Sequence, residues 1–332
     1  MKIGILGCGN WGSVFGIIQA RNGHTVRIWE FDKPRAQRVK KTRDNQPFLP
    51  QCKLPDEIGI YWEIEPVLKS ADLVVFALPS QVVRKVISDI RALRTNLGSS
   101  LVLSLIKGID IQTLQRPSEI ISKLPVRRDR MFVLSGPSIA NEIIRGEPTA
   151  VVLVGRNARR ARSLQGQLAT RSFRIYEGRD LVGVELGGAL KNVLALACGI
   201  SDGLGLGANT KGALISRGIK EIQRLGVRMG ARALTFLGLS GIGDLITTSF
   251  SRESRNHAYG TLIGQGLSRA KIERDMVMVA EGVPTARAVH KLAARHGIEM
   301  PICGVVYDIL YRNKPPPQGI KELMTRPLRK EG

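Results

Sequence analysis

The chain has 332 residues, 43% of them apolar, which is enough for two domains with sizeable cores. No unbroken apolar run reaches the roughly 18 residues of a membrane-spanning helix, and four scattered cysteines with four histidines form no metal-ligand spacing. The net charge of +22 is spread along a chain with only 5% aromatic residues, a pattern of solvated basic surface that draws in anionic ligands rather than of a base-stacking nucleic-acid interface.

Lys2 to Leu6 is an apolar run the length of one buried strand. Gly7-Cys8-Gly9-Asn10-Trp11-Gly12 follows as a G-x-G-x-x-G turn, and Ser13 to Ala20 continues as a helix. Strand, turn and helix together are the setting in which this spacing binds a dinucleotide. Gly7 permits the tight turn, Gly9 lets the backbone approach a pyrophosphate, and Gly12 lets the helix pack against the strand. The helix N-terminus adds free N–H donors and the positive end of its dipole. Asn22-Gly23-His24 stops that helix, Thr25 to Trp29 is a second strand-like run, and Glu30 closes it. An acid there accepts hydrogen bonds from the adenosine ribose and repels a 2′-phosphate, which modestly favours NAD over NADP. Lys33 and Arg35, just beyond, can accommodate that phosphate and pull the other way. With the fingerprint starting almost at Met1, no signal peptide and a reducing cytoplasmic setting are expected.

Further along, Leu73 to Leu78 ends in Pro79-Ser80 and leads into a helical segment from Val82 to Leu93. Ser100 to Ile106 ends at Lys107-Gly108, and Met131 to Leu134 ends at Ser135-Gly136-Pro137-Ser138. Ala150 to Val154, a helix from Ala158 to Ala169 and Phe173 to Tyr176 complete the alternation. Apolar strands separated by helices predict an α/β fold with a doubly wound, mostly parallel sheet, its ligands beyond the carboxyl ends of the strands. From Leu181 the strand-like runs cease. Gly183 to Ile200, Asn209 to Met229, Arg232 to Leu237, Ala258 to Gln265, Thr285 to Arg295 and Glu299 to Tyr311 read as helices. The division expected is a Rossmann-type domain over 1–180 and an all-helical domain over 181–332. Pro315-Pro316-Pro317 is expected to hold the tail extended.

Three segments carry chemistry. Gly187-Gly188-Ala189-Leu190-Lys191-Asn192 sets a lysine into a small, apolar helix. Such a lysine either snorkels to solvent or is partly buried, and burial lowers its pKa into the range of a general acid/base. Gly241-Ile242-Gly243-Asp244 places an acid after a glycine-rich turn. Ser251 to Asn256 offers a guanidinium, an amide and hydroxyls suited to a phosphate, or equally a solvated polar loop.

With these motifs in order, the chain resembles the NAD(P)-dependent glycerol-3-phosphate dehydrogenases of the bacterial and soluble eukaryotic type nearly end to end. The resemblance runs through Gly7 to Gly12, Phe48-Leu49-Pro50, Pro79-Ser80, Lys107-Gly108 and Ser135 to Glu142. It continues through Gly183 to Asn209, Gly241 to Thr248, Ser254-Arg255-Asn256 and Val279 to Gly282. It implies Lys191, Lys107 and Asp244 as catalytic residues, Lys191 being the proton donor and acceptor. It implies Lys107, Gly136, Ser138, Asn192, Asp244, Thr248, Ser254, Arg255 and Asn256 around a small phosphorylated three-carbon substrate. It further implies Gly7, Gly9, Asn10, Trp11, Gly12, Glu30, Phe31, Pro79, Lys107, Ala140, Arg255, Val279 and Glu281 around NAD or NADP, with no metal.

The implied reaction joins dihydroxyacetone phosphate and sn-glycerol 3-phosphate and supplies glycerophospholipid synthesis. A homodimer without a membrane span is the matching assembly. Phe31 stands where relatives often carry histidine or arginine, which leaves cofactor choice open. His257 replaces a second arginine and is expected to matter little. The alternatives are a ketopantoate reductase or β-hydroxyacid dehydrogenase, which lack the Ser254-Arg255-Asn256 and Gly241 to Thr248 features, and a non-catalytic dinucleotide sensor.

Overall fold

A computed structural model describes residues 1–50, 52–276, 278–328 and 330. The first half builds one eight-stranded sheet from β1 (Lys2–Leu6), β2 (Thr25–Trp29), β3 (Gly59–Tyr61), β4 (Leu73–Phe76), β5 (Leu101–Ser104), β6 (Met131–Ser135), β7 (Thr149–Gly155) and β8 (Phe173–Gly178). Their order across the sheet is β3-β2-β1-β4-β5-β6-β7-β8, parallel throughout except between β6 and β7. The strand order, not the chain direction, reverses between the parallel neighbours β1 and β4, and that switch point opens a crevice beyond their carboxyl ends. Helices α1 (Asn10–Arg21), α2 (Lys33–Thr42), α3 (Glu65–Leu68), α4 (Val83–Ala92), α5 (Pro117–Ile121), α6 (Ala140–Ile144) and α7 (Ala158–Leu168) accompany the sheet. Both faces are apolar. Ile3, Ile5, Val14 and Phe15 share one core, while Leu6, Phe76, Val83 and Val86 share another.

The second half is helical: α8 (Leu181–Gly203), α9 (Ala208–Arg228), α10 (Asp244–Phe250), α11 (Arg255–Gly264), α12 (Arg269–Asp275), α13 (Gly282–His296), α14 (Pro301–Tyr311) and α15 (Pro316–Met324). Its axis is α8, in which every residue from Gly183 to Ser201 is buried. By length and composition α8 could cross a membrane, yet its most apolar window is 89% buried inside the fold, as befits a core helix. Small residues let α11 lie directly on it. A Cβ on Gly199 would fall 2.1 Å from the His257 carbonyl, and one on Gly260 would fall 2.2 Å from the Leu196 carbonyl.

Several elements depart from the sequence reading. The short edge strand β3 and the polar helix α2, which buries only Ala36 and Val39, carry too few apolar residues to show a period. Arg232 to Leu237 is not a full helix: Ala233–Leu237 is one 3₁₀ segment that leads into a π turn, Leu239–Gly243. The proline-rich tail is also not extended, because α15 begins at Pro316. A proline's fixed φ suits the first helical turn, where the N–H it lacks would have no intrahelical partner.

Candidate active site

At the end of β1 the fingerprint turn is a cradle of backbone. Gly7 has φ of +119°, and a Cβ there would lie 2.4 Å from the Ala77 carbonyl. A Cβ on Gly12 would lie 2.1 Å from the Gly7 carbonyl, whereas one on Gly9 would meet no atom within 4 Å. Space is therefore kept open at Gly9 alone of the three. Gly9 also caps α1 without a side chain, leaving the first amides of α1 for an anion. The turn is braced from outside: Asn45 Nδ2 donates to the Cys8 carbonyl at 2.9 Å and to Ser13 Oγ at 2.7 Å, and Asn10 Nδ2 donates to the Phe48 carbonyl at 2.7 Å. Trp11 is half-buried against Phe15 and Phe173. These features fit a dinucleotide pyrophosphate.

Glu30 sits at the end of β2 but does not face outward. It is buried, its Oε1 accepts the Asp32 N–H at 3.0 Å, and its Oε2 is paired with the Arg35 guanidinium. Arg35 donates as well to the Cys8 carbonyl at 2.7 Å and lies 4.1 Å over the Phe48 ring. Phe31, next to Glu30, is 77% exposed.

The charged centre lies where α8 and α10 meet the ends of β5 and β6. Lys191 is buried in the middle of α8, so the snorkelling alternative does not occur. Its Nζ donates to Asp244 Oδ1 at 2.8 Å and to Thr248 Oγ1. Asp244 starts α10, and its other oxygen accepts from Lys107 Nζ at 2.6 Å. Lys107 donates in addition to the Gly136 carbonyl at 2.8 Å and to Ser138 Oγ at 3.1 Å. One carboxylate thus holds two ammonium groups, one from each half of the chain. Burial lowers the Lys191 pKa to about 8; Asp244 pulls it up and the neighbouring Lys107 pushes it down. Burial would raise the Asp244 carboxyl, but the two lysines hold it below the usual carboxylate range.

A chain of amides runs away from this centre. Asn192 Nδ2 donates to the Lys107 carbonyl at 3.0 Å, Asn256 Nδ2 donates to Asn192 Oδ1 at 2.9 Å, and Asn256 Oδ1 accepts the Gly282 N–H at 2.8 Å. Ser254 caps α11 through the His257 N–H. Exposed Arg255 reaches the Val279 carbonyl at 3.3 Å. Glu281 accepts the Ser80 N–H at 2.8 Å and the Ser80 hydroxyl at 2.6 Å, beside Pro79. Buried Ala140 opens α6, and Val279 is half exposed.

Some contacts that set this geometry were not singled out in the sequence. Buried Glu185, on α8, accepts from Arg116 at 2.6 Å and from the Ser118 N–H at 2.8 Å, pinning α8 to α5. Asp180 caps α8 through the Gly183 N–H and accepts from Arg232 N–H and Thr235. A carboxylate and a guanidinium 69 residues apart carry no local signal.

Comparison with known proteins agrees in both halves. Residues 2–161 match the family model described as the NAD-dependent glycerol-3-phosphate dehydrogenase N-terminus, and residues 180–321 match its C-terminus. The chain is 43% identical to glycerol-3-phosphate dehydrogenase [NAD(P)+] of Thermoanaerobacter sp. (strain X514), over 98% of this chain and 97% of that one. It is also 43% identical to the enzyme of that name from Geobacter sulfurreducens, over 99% and 98%. Among solved structures, glycerol-3-phosphate dehydrogenase from Coxiella burnetii superposes with a TM-score of 0.92 at 33% identity, covering 98% of each chain.

Proposed function

The chain belongs to the NAD-dependent glycerol-3-phosphate dehydrogenase family, and from that premise we propose how its side chains carry the NAD(P)-dependent interconversion of dihydroxyacetone phosphate and sn-glycerol 3-phosphate. The observation that carries the reading is the Lys107–Asp244–Lys191 bridge, with Lys191 buried and its pKa near 8. In this reading residues 1–180 hold the cofactor, through Gly7, Gly9, Asn10, Trp11, Gly12, Pro79 and Ala140. Residues 181–332 supply the proton and the substrate clamp.

A bound nicotinamide supplies the hydride that C2 of the substrate receives. Negative charge then grows on the carbonyl oxygen. The Lys191 ammonium stabilises that charge and gives up its proton, a task for which a pKa near the working pH is best suited. In the opposite direction the neutral amine takes the hydroxyl proton. Asp244 stays ionised and aims both lysines, Thr248 fixes the Lys191 rotamer, and Lys107 holds Ser138 and Gly136 against the site. The substrate phosphate falls to Arg255 and to the first amides of α11, ahead of the His257 N–H that Ser254 caps.

Following the absorbance of reduced nicotinamide with dihydroxyacetone phosphate tests the reaction, and a folded enzyme that oxidises neither NADH nor NADPH refutes it. Arg255→Ala is expected to raise KM for dihydroxyacetone phosphate by about 1.5–3 kcal/mol, the worth of a charged hydrogen bond. An unchanged KM removes Arg255 from the phosphate. The reading places the enzyme in the cytoplasm, supported by four unpaired cysteines, and assigns its product to glycerophospholipid synthesis.

A homodimer is the assembly we favour. Leu234, Leu237 and Phe250 are 78%, 55% and 58% exposed, and they border two adjoining grooves of about 550 and 830 Å³ between the 3₁₀ segment, α9 and the sheet edge. Such an apolar face favours a second protein surface. Light scattering is expected to give twice the chain mass and, for Leu234→Glu, a shift toward monomer. A monomeric parent protein rules the assembly out.

A further inference from the structure

His257 was set aside in the sequence as a replacement of little consequence, yet the fold ties it down on two sides. Its carbonyl lies against the backbone of α8 at Gly199, and its Nε2 is 2.7 Å from Asp202 Oδ2 near the C-terminal end of α8. The same carboxylate oxygen accepts from Lys211 Nζ of α9 at 2.6 Å. That ammonium sits 4.7 Å from the ring centroid of Phe250, the last residue of α10. Asp202 therefore gathers the ends of α8, α9, α10 and α11 at one point.

The first turn of α11 is what this cluster holds. Ser254, at its start, is bonded to the His257 N–H at 3.2 Å, and Asn256 is fixed at both ends of its amide. Arg255 stands between them. It is exposed, and among the described residues its guanidinium has one hydrogen bond, the long one to Val279. The Glu281 carboxylate acts on it as well, and the point from which the side chain starts is set by its backbone, and that backbone by its neighbours. A cation held in place before the ligand arrives spends less of its binding energy on ordering.

We propose that Asp202, gripping His257 and Lys211, is a positioning group for the substrate phosphate, acting through the first turn of α11. The inference rests on the reading of Arg255 as the phosphate clamp. His257 and Asp202 make their contacts with Ser254, Thr261 and Lys211 and with each other. Their effect passes through Ser254 and Arg255, so it should be confined to substrates that carry a phosphate.

The test is steady-state kinetics of the full chain with dihydroxyacetone phosphate and, in parallel, with dihydroxyacetone, which lacks the phosphate. For His257→Ala we expect KM for the phosphorylated substrate to rise about tenfold, kcat to stay within about twofold, and kcat/KM for dihydroxyacetone to be unchanged. His257→Gln, whose amide N–H can reach Asp202, restores KM. Asp202→Asn keeps the side-chain volume and weakens both bonds, so it should reproduce the alanine pattern should His257→Ala fold poorly. Equal losses with the two substrates mean a merely structural cluster and overturn the proposal, as does an unchanged KM in His257→Ala and Asp202→Asn. Arg255→Ala separates the two levels. If it raises KM while the His257 and Asp202 variants do not, only the positioning role falls; if it does not, the clamp falls and the positioning role with it.

Discussion

At the end of β1 the protein presents backbone, and in the middle of α8 it presents charge. The cradle around Gly7, Gly9 and Gly12 works by lacking atoms, since a diphosphate must come within hydrogen-bond reach of main-chain amides. The Lys107–Asp244–Lys191 bridge works by having them, three ionised groups packed where water is scarce. The first site is accordingly damaged by adding a methyl group. The second is damaged by removing a charge, because a buried carboxylate left without its partners is costly.

The largest effect expected is in the second site. Lys191→Ala removes both the proposed proton donor and the charge proposed to face the growing oxyanion, while Asp244 keeps Lys107 as a partner. A loss in kcat on the order of 10³-fold or more is expected, together with a lower melting temperature, since Asp244 Oδ1 loses its ammonium partner. Near-normal turnover of that variant would remove Lys191 from the chemistry and erase the contrast between the halves.

The glycines sharpen the contrast at the next level. In Gly12→Ala the new methyl meets backbone 2.1 Å away, which no side-chain rotation relieves. Stability should fall by about 1–3 kcal/mol, and the cofactor KM should rise with it. Gly9→Ala has no protein atom within 4 Å of its methyl, so thermal stability should hold while the cofactor KM rises about tenfold. A Gly9→Ala enzyme with unaltered cofactor KM shows that the open space is not the cradle.

A pH profile reads the charged site without mutation. With the Lys191 pKa at about 8, oxidation of glycerol 3-phosphate requires the neutral amine. Its rate should climb about tenfold per pH unit below that value and level off above it. Reduction of dihydroxyacetone phosphate uses the ammonium, so it should be flat below pH 8 and decline above. Asp244→Asn takes away the charge that raises the Lys191 pKa, so the break should move to lower pH in both directions; a break that stays in place separates it from Lys191.

How much of this was legible depends on the range of the interaction. The β1 turn lies within six consecutive residues, and each glycine has a local steric reason, so the dinucleotide half could be read along the chain. Burial of Lys191 could not, because its helix is equally apolar whether the lysine points to solvent or beneath α10 and α11. Close backbone packing brings that cover down, of Gly187 against Ser240 ahead of α10, and of Gly199 against His257 and Gly260 against Leu196 for α11. The sharing of Asp244 between Lys107 and Lys191 joins residues 137 and 53 positions apart, and no spacing rule reaches so far. Even close neighbours can pair in ways that spacing does not show. Glu30 read as an acceptor for the adenosine ribose, and the structure pairs it with Arg35, five residues on.

That pair gives the smallest expected effect, and it tests the cofactor half against itself. Both Glu30 oxygens are occupied, one by the Asp32 amide and one by Arg35, so the carboxylate offers a ribose little in this arrangement. The group on offer is the Arg35 guanidinium, anchored on the Cys8 carbonyl of the turn and over the Phe48 ring. A cation there tolerates a 2′-phosphate, and a freed Glu30 would accept ribose hydroxyls instead. Arg35→Gln should therefore shift the ratio of kcat/KM for NADH over NADPH toward NADH by about three- to tenfold, the scale of one partly screened charge contact. Because the proposed proton chemistry rests on Lys191 and Asp244, kcat at saturating NADH should stay within about twofold. A ratio that does not move makes Arg35 a brace for the turn, and cofactor choice then passes to the exposed ring of Phe31 and to Lys33 beside it.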